Sequence, residues 1–186
     1  MTTPRDPAAS AEAARRAIAD WHDTVVPVLM EYGRIPALSP AYDPEWATRG
    51  ELDRAADLLA DWARGRGVEG ATVEVVRIPG LSPTILIDVP ASDPEATGRV
   101  LVYGHYDKQP PFVGWGAGRG PWTPALEGDL LFGRGMADDG YAMPSALVAL
   151  DSIRTTGGRH ARCVVLIEGS EESGSPHLPD VLAVLA

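Results

Sequence analysis

The chain is short of cysteine, of basic residues and of long apolar runs, and each shortage excludes a class of function. Its only cysteine is Cys163, which rules out an internal disulfide and any Cys-rich zinc module. Cys163 lies in the apolar run Cys163-Val164-Val165-Leu166-Ile167 and reads as a small core residue rather than a reactive thiol. Lysine and arginine number 16 against 26 acidic residues, for a net charge of −10. Phosphate contacts need clustered cations, so nucleic acid is disfavoured as a partner. No apolar stretch approaches the roughly 20 residues that span a bilayer. The first ten residues, MTTPRDPAAS, lack the apolar segment of a signal peptide. Together these absences point to a cytoplasmic protein with no membrane partner.

What is present suits a folded domain: 186 residues, 45% of them hydrophobic, suffice for one real core. Residues 11–32 read as a helix with Ile18, Trp21, Val25 and Val28 on one apolar face. Pro27 interrupts that pattern and kinks or splits the helix. After a polar loop at 35–45, residues 51–64 form a second helix. It carries Leu52, Ala55, Leu58, Leu59 and Trp62 on one side and is ended by Gly65 and Gly67. The period then changes. Residues 72–78 and 84–89 read as strands, with Pro79, Gly80 and Pro83 between them. Residues 99–103 make a short strand buried on both faces, and 130–132 a brief one after the Gly/Pro/Trp-rich loop 108–124. A helix at 145–153, a buried strand at 161–168 and a helix beginning at 178 complete the pattern. The expected fold is α/β: one domain with a mainly parallel central sheet flanked by helices.

Three clusters of acids and imidazole sit at the ends of these elements. Tyr103-Gly104-His105-Tyr106-Asp107 follows a buried strand. There His105 can bind a metal through one ring nitrogen, while Asp107 accepts a hydrogen bond from the other. Gly133-Arg134-Gly135-Met136-Ala137-Asp138-Asp139-Gly140 precedes a helix, and Glu168-Gly169-Ser170-Glu171-Glu172-Ser173-Gly174 follows the second buried strand. Ligands of open α/β sheets gather at strand carboxyl ends, so the three can converge. One histidine with several carboxylates suits zinc, and two zinc ions about 3.5–4 Å apart can share a bridging carboxylate. An unligated glutamate nearby would move the proton of the attacking water. Each cluster alone has a plainer reading. His-x-Asp is ordinarily a turn, Asp-Asp-Gly a helix N-cap, and Glu-Glu a solvated face. Their combination and order carry the case.

His105-Tyr106-Asp107, then Phe132-Gly133-Arg134-Gly135 with Asp138-Asp139, then Glu171-Glu172-Ser173-Gly174-Ser175, resembles the M20 metallopeptidase family, and especially its dipeptidase and carnosinase-like members. The resemblance runs from the loop Arg34-Ile35-Pro36-Ala37-Leu38-Ser39 to the end of the chain. It implies that His105 binds one metal with Asp107 orienting it, that Asp138 bridges two metals, and that Glu172 binds the second. Glu171 would be the general acid/base, and Asp139 would stay outside the ligand set. The implied cofactor is a pair of zinc ions, with cobalt or manganese as alternatives. The implied substrate is a dipeptide or short peptide; N-acyl amino acid deacylation, or a non-catalytic homologue, are the other readings.

The chain departs from the family in two ways. Many members continue the aspartate pair with Lys-Gly, where this chain has Gly140-Tyr141-Ala142. Members also carry a further acidic ligand, a late histidine ligand and a lid or dimerisation domain, none of which matches a residue after Glu172. Residues 1–186 therefore read as the N-terminal portion of the catalytic domain, expected to bind metal weakly and to be inactive alone. The complete protein is expected to be a homodimer. Outside the clusters, Trp115 and Trp122 can wall a cleft or simply pack their loop, and Lys108 and Arg119 can meet a substrate carboxylate or simply be solvated. His177 reads as a surface residue at a helix start.

Overall fold

The structure, a computed structural model, describes residues 6–93 and 95–186; residues 1–5 of the N-terminal lead lie outside it. Helix α1 (Pro7–Asp20) begins where the Asp6 carboxylate accepts the Ala8 N–H at 2.9 Å, with Pro7 in the first turn, where its missing N–H has no partner to lose. Pro27 cannot donate either, and the helix answers with a π-helical turn at Trp21–Val25, in which Val26 N–H reaches back to Trp21. Helix α2 (Val26–Gly33) then continues. The inserted residue rotates the two segments relative to one another. Val25 and Val28 are buried while Ile18, expected on the same face, is 62% exposed.

A short α3 (Trp46–Arg49) leads into α4 (Glu51–Arg66), which buries Leu52, Ala55, Ala56, Leu59, Ala60 and Ala63. It runs through Gly65 and stops at Gly67, whose φ of 62° is a left-handed cap that suits glycine. The remaining elements are β1 (Thr72–Val76), β2 (Thr84–Val89), β3 (Arg99–His105), β4 (Ala125–Glu127), β5 (Leu130–Phe132), α5 (Ala142–Thr155), β6 (Arg162–Glu168) and α6 (Leu178–Leu185).

The main sheet has the order β1-β2-β6-β3, and β4 and β5 form a separate hairpin. The α/β class holds, but the mainly parallel sheet does not. β1–β2 and β2–β6 are antiparallel, and only β3–β6 is parallel. Apolar alternation looks the same in either direction; the connections decide. The short 77–83 segment makes β1 and β2 a hairpin, whereas β3 reaches β6 through the crossover containing α5.

Ile85, Ile87 and Val89 of β2 and their partners Ile167, Val165 and Cys163 of β6 point to one face. They form a single core with α2, α4 and α5, and α1 packs on α5. Each such aliphatic side chain contributes about 1.5–3 kcal/mol on burial. On the opposite face, cover is missing at the open edge. Leu101 and Tyr103 of the open edge strand β3 are 66% and 46% exposed, and α6 buries only Val181. The edge strand β3 is therefore not covered on both sides. A five-residue apolar run specifies a strand without specifying what covers it. The parallel pairing sets His105 and Glu168 side by side as register partners at the carboxyl ends of β3 and β6.

Candidate metal centre

His105 is 5% exposed at the end of β3. Its Nδ1 lies 3.1 Å from the Asp107 backbone carbonyl and 3.5 Å from Asp107 Oδ1. A proton on Nδ1 is thus held mainly by the carbonyl, leaving Nε2 to face the acids: 3.3 Å to Asp138 Oδ1 and 3.7 Å to Glu171 Oε2. Donor atoms of His105, Asp138 and Glu172 all lie within 4.8 Å of one another. All five residues singled out by the motifs meet here. Asp138 arrives on an irregular turn after the β4–β5 hairpin, with extended backbone at φ −141° and ψ 89°; the Asp138–Asp139 peptide bond is cis.

Asp107 is wholly buried, and its carboxylate does more than face the imidazole. Its two oxygens accept the backbone N–H groups of Glu171 (3.1 Å) and Glu172 (3.0 Å). It therefore ties the end of β3 to the 3₁₀ turn Glu171–Ser173 that carries both glutamates. Asp139 turns the other way. Its Oδ2 accepts the His105 N–H at 3.4 Å and fills the space a Cβ on Gly104 would need, 2.5 Å away. Only glycine fits at position 104.

The electrostatics show a site short of positive charge. Burial opposes protonation of His105, but the hydrogen bond and charge of Asp107 and the charge of Glu171 outweigh it and raise the imidazole to about 9. The Glu172 carboxyl is pushed up, first by burial and also by the nearby Asp138 charge, against a lowering hydrogen bond from Gln109. A divalent cation among one imidazole and these carboxylates would relieve each of these strains, and the donor set suits zinc.

Several residues at the centre carry no motif. Gln109 Nε2 donates to Glu172 Oε2 at 2.7 Å. Lys108, the only lysine in the chain, is shut off from solvent. It is fully buried, donates to the Tyr32 and Ile35 carbonyls at 2.8 Å each, and sits 3.8 Å from the centre of the Tyr32 ring. Burial lowers its amine to about 7. The 34–42 segment is stitched to Lys108 by backbone hydrogen bonds at Ala37 and Ser39, and to the glutamate turn by Ser39 Oγ–Ser173 Oγ at 2.6 Å. Arg119 pairs with Glu127 and lies over Phe132. His177 is half-buried, with Nδ1 accepting the Ser82 N–H at 3.0 Å. Trp115 donates to the Phe112 carbonyl within its own loop. The one sequence signal for Lys108 was its being a lone lysine among arginines.

The fold and this donor set are similar to those of M20 metallopeptidases. Residues 101–185 match Peptidase family M20/M25/M40, so the resemblance carried by the linked motifs holds. It extends to dipeptidases in particular. The chain is 36% identical over 104 residues to the Cys-Gly metallodipeptidase DUG1 of Candida albicans, covering 54% of this chain and 21% of that protein. It is 32% identical over 111 residues to DUG1 of Saccharomyces cerevisiae, covering 58% and 23%. The solved structure of the yeast di-peptidase Dug1p superposes with a TM-score of 0.72 at 25% identity, over 94% of this chain and 37% of that one. Human carnosine dipeptidase 1 gives 0.72 at 27%, over 96% and 38%. The chain thus matches about a fifth of the length of these curated relatives. Among the described residues, no helix is long and apolar enough to cross a membrane.

Proposed function

We propose that this chain is the metal-binding part of a cytoplasmic M20-type dipeptidase, hydrolysing the amide bond of dipeptides or short peptides. The observation that carries the reading is the convergence of His105, Asp138 and Glu172 within 4.8 Å, with Glu171 beside them. His105 would hold one zinc ion, Glu172 a second, and Asp138 would bridge them. Such a pair polarises a carbonyl and makes water acidic enough to attack it near neutral pH. Glu171 is 40% exposed at its side chain, and no described residue donates a hydrogen bond to its carboxylate. Its oxygens are free to take the proton of the attacking water and return it to the leaving amine. Asp107 fixes the turn that aims Glu171, and its carbonyl fixes the His105 tautomer. The dipeptidase names of the relatives support the substrate class, and the resemblance supports a homodimer for the full-length protein.

The test is amino-acid release from dipeptides and N-acyl amino acids by the zinc-loaded full-length protein and its Glu171→Gln variant. Dipeptide release that falls at least a thousandfold in the variant, with metal content unchanged, is expected. No release from any substrate, with metal shown to be bound, would replace the reading with that of a non-catalytic homologue. Release from N-acyl amino acids alone would make it a deacylase.

A further inference from the structure

The catalytic scheme has no use for Glu168, yet this carboxylate is 2% exposed at the end of β6, as the register partner of His105. Burying a carboxylate is costly unless its oxygens are satisfied. Three hydroxyls satisfy this one. Oε1 accepts from Tyr103 at 2.5 Å and from Ser175 at 2.8 Å, and Oε2 accepts from Ser170 at 3.0 Å. No described cationic side chain pairs with it. An apolar residue would fill a purely structural position at less cost, so the placement of the three donors is informative.

Ser170 and Ser175 are the two ends of the turn that carries Glu171 and Glu172. The Ser170 carbonyl accepts the N–H groups of Ser173 (3.1 Å) and Ser175 (3.0 Å), closing the turn on itself. Ser175 is the one non-glycine with positive φ among the described residues, at 54°. That conformation is disfavoured for a residue with a Cβ and persists only where surrounding bonds hold it. The hydroxyl bond to Glu168 is such a bond. The strand end beneath is rigid too: a Cβ on Gly169 would lie 2.4 Å from Tyr106 Oη, which donates to the Pro83 carbonyl.

We infer that Glu168 is a positioning residue, a buried clamp that grips both ends of the 170–175 turn through Ser170 and Ser175. It thereby sets Glu171 and Glu172 against His105 and Asp138. The effect on catalysis rests on the function proposed above; the clamp itself does not. Tyr103, from the neighbouring strand, ties the clamp to the element that carries His105.

The test compares Glu168→Gln and the double variant Ser170→Ala/Ser175→Ala with Cys163→Ala, which loosens the core of the same strand away from the turn. Measurements on the full-length protein are amide hydrogen exchange at residues 170–175, zinc affinity by calorimetry, and kcat and KM separately. Both clamp variants are expected to speed exchange in the turn at least tenfold and to weaken zinc at least tenfold. They should lower kcat more than tenfold with KM within threefold. Cys163→Ala should do none of these beyond what its lost thermal stability accounts for. Unchanged turn exchange in both clamp variants, or equal changes in Cys163→Ala at matched stability, would overturn the inference. If Glu168→Gln does not fold, the serine pair carries the comparison. A wild type that neither binds zinc nor turns over would defeat the proposed function alone, because the exchange contrast would still decide the clamp.

Discussion

The two halves of the candidate metal centre are held in opposite ways. On one side, Asp107 is wholly buried, bonded to two backbone amides, and joined through them to a turn pinned at both ends. On the other, Asp138 has a side chain 69% exposed, on an irregular turn between Gly135 and Gly140, and its one hydrogen bond goes to His105 at 3.3 Å. The first half is built by folding. The second has donors in reach but little that fixes them, so a bound cation would supply much of its order. Order is built in around His105 and Glu171 and is sparse around Asp138.

The largest expected effect breaks the rigid half. Asp107→Ala strands two part-buried N–H groups and should cost about 2–4 kcal/mol in denaturant unfolding, together with zinc binding. A loss under 1 kcal/mol would show that the turn does not depend on this strut. Next comes the pH dependence of Lys108, which braces the same half. Its amine is at about 7 in the fold against 10.5 when solvated. Between those pH values the unfolded chain holds a proton that the native chain has given up, so stability rises with pH across the window, by up to about 1.4 kcal/mol per unit. Below about 7 the contribution is flat. Lys108→Met should flatten the slope, read from urea midpoints at pH 7 to 10. The smallest effect sharpens the contrast from the other side. Asp138→Asn should change stability by less than about 0.5 kcal/mol, as surface substitutions do, while zinc affinity falls at least tenfold. Equal stability losses in the Asp107 and Asp138 variants would erase the distinction.

The difference between the halves also explains what could be read from the sequence. His105, Asp107, Asp138, Glu171 and Glu172 were legible because each motif follows a local element whose period is visible, and their order narrows the chemistry. Glu168, Lys108, Gln109 and the Ser39–Ser173 pair were not, because their meaning lies in partners tens of residues away. Lys108 looked like any cation until Tyr32 and Ile35 enclosed it. Sheet direction was hidden for a related reason: Val and Ile alternate identically whichever way the strand runs, and only the hairpin between β1 and β2 and the crossover through α5 set the sense. At Pro27 the interruption was legible, but its resolution as a π-helical turn depended on the rest of the α2 packing.

The burial of Lys108 has a practical corollary. Because Lys108 is the only lysine, an amine-directed reagent has a single side-chain target in this chain, and native packing shields it. Labelling at that position would count the moments when its cover of Tyr32, Ile35 and Gly135 loosens, so one chemical footprint reports local opening beside the candidate site.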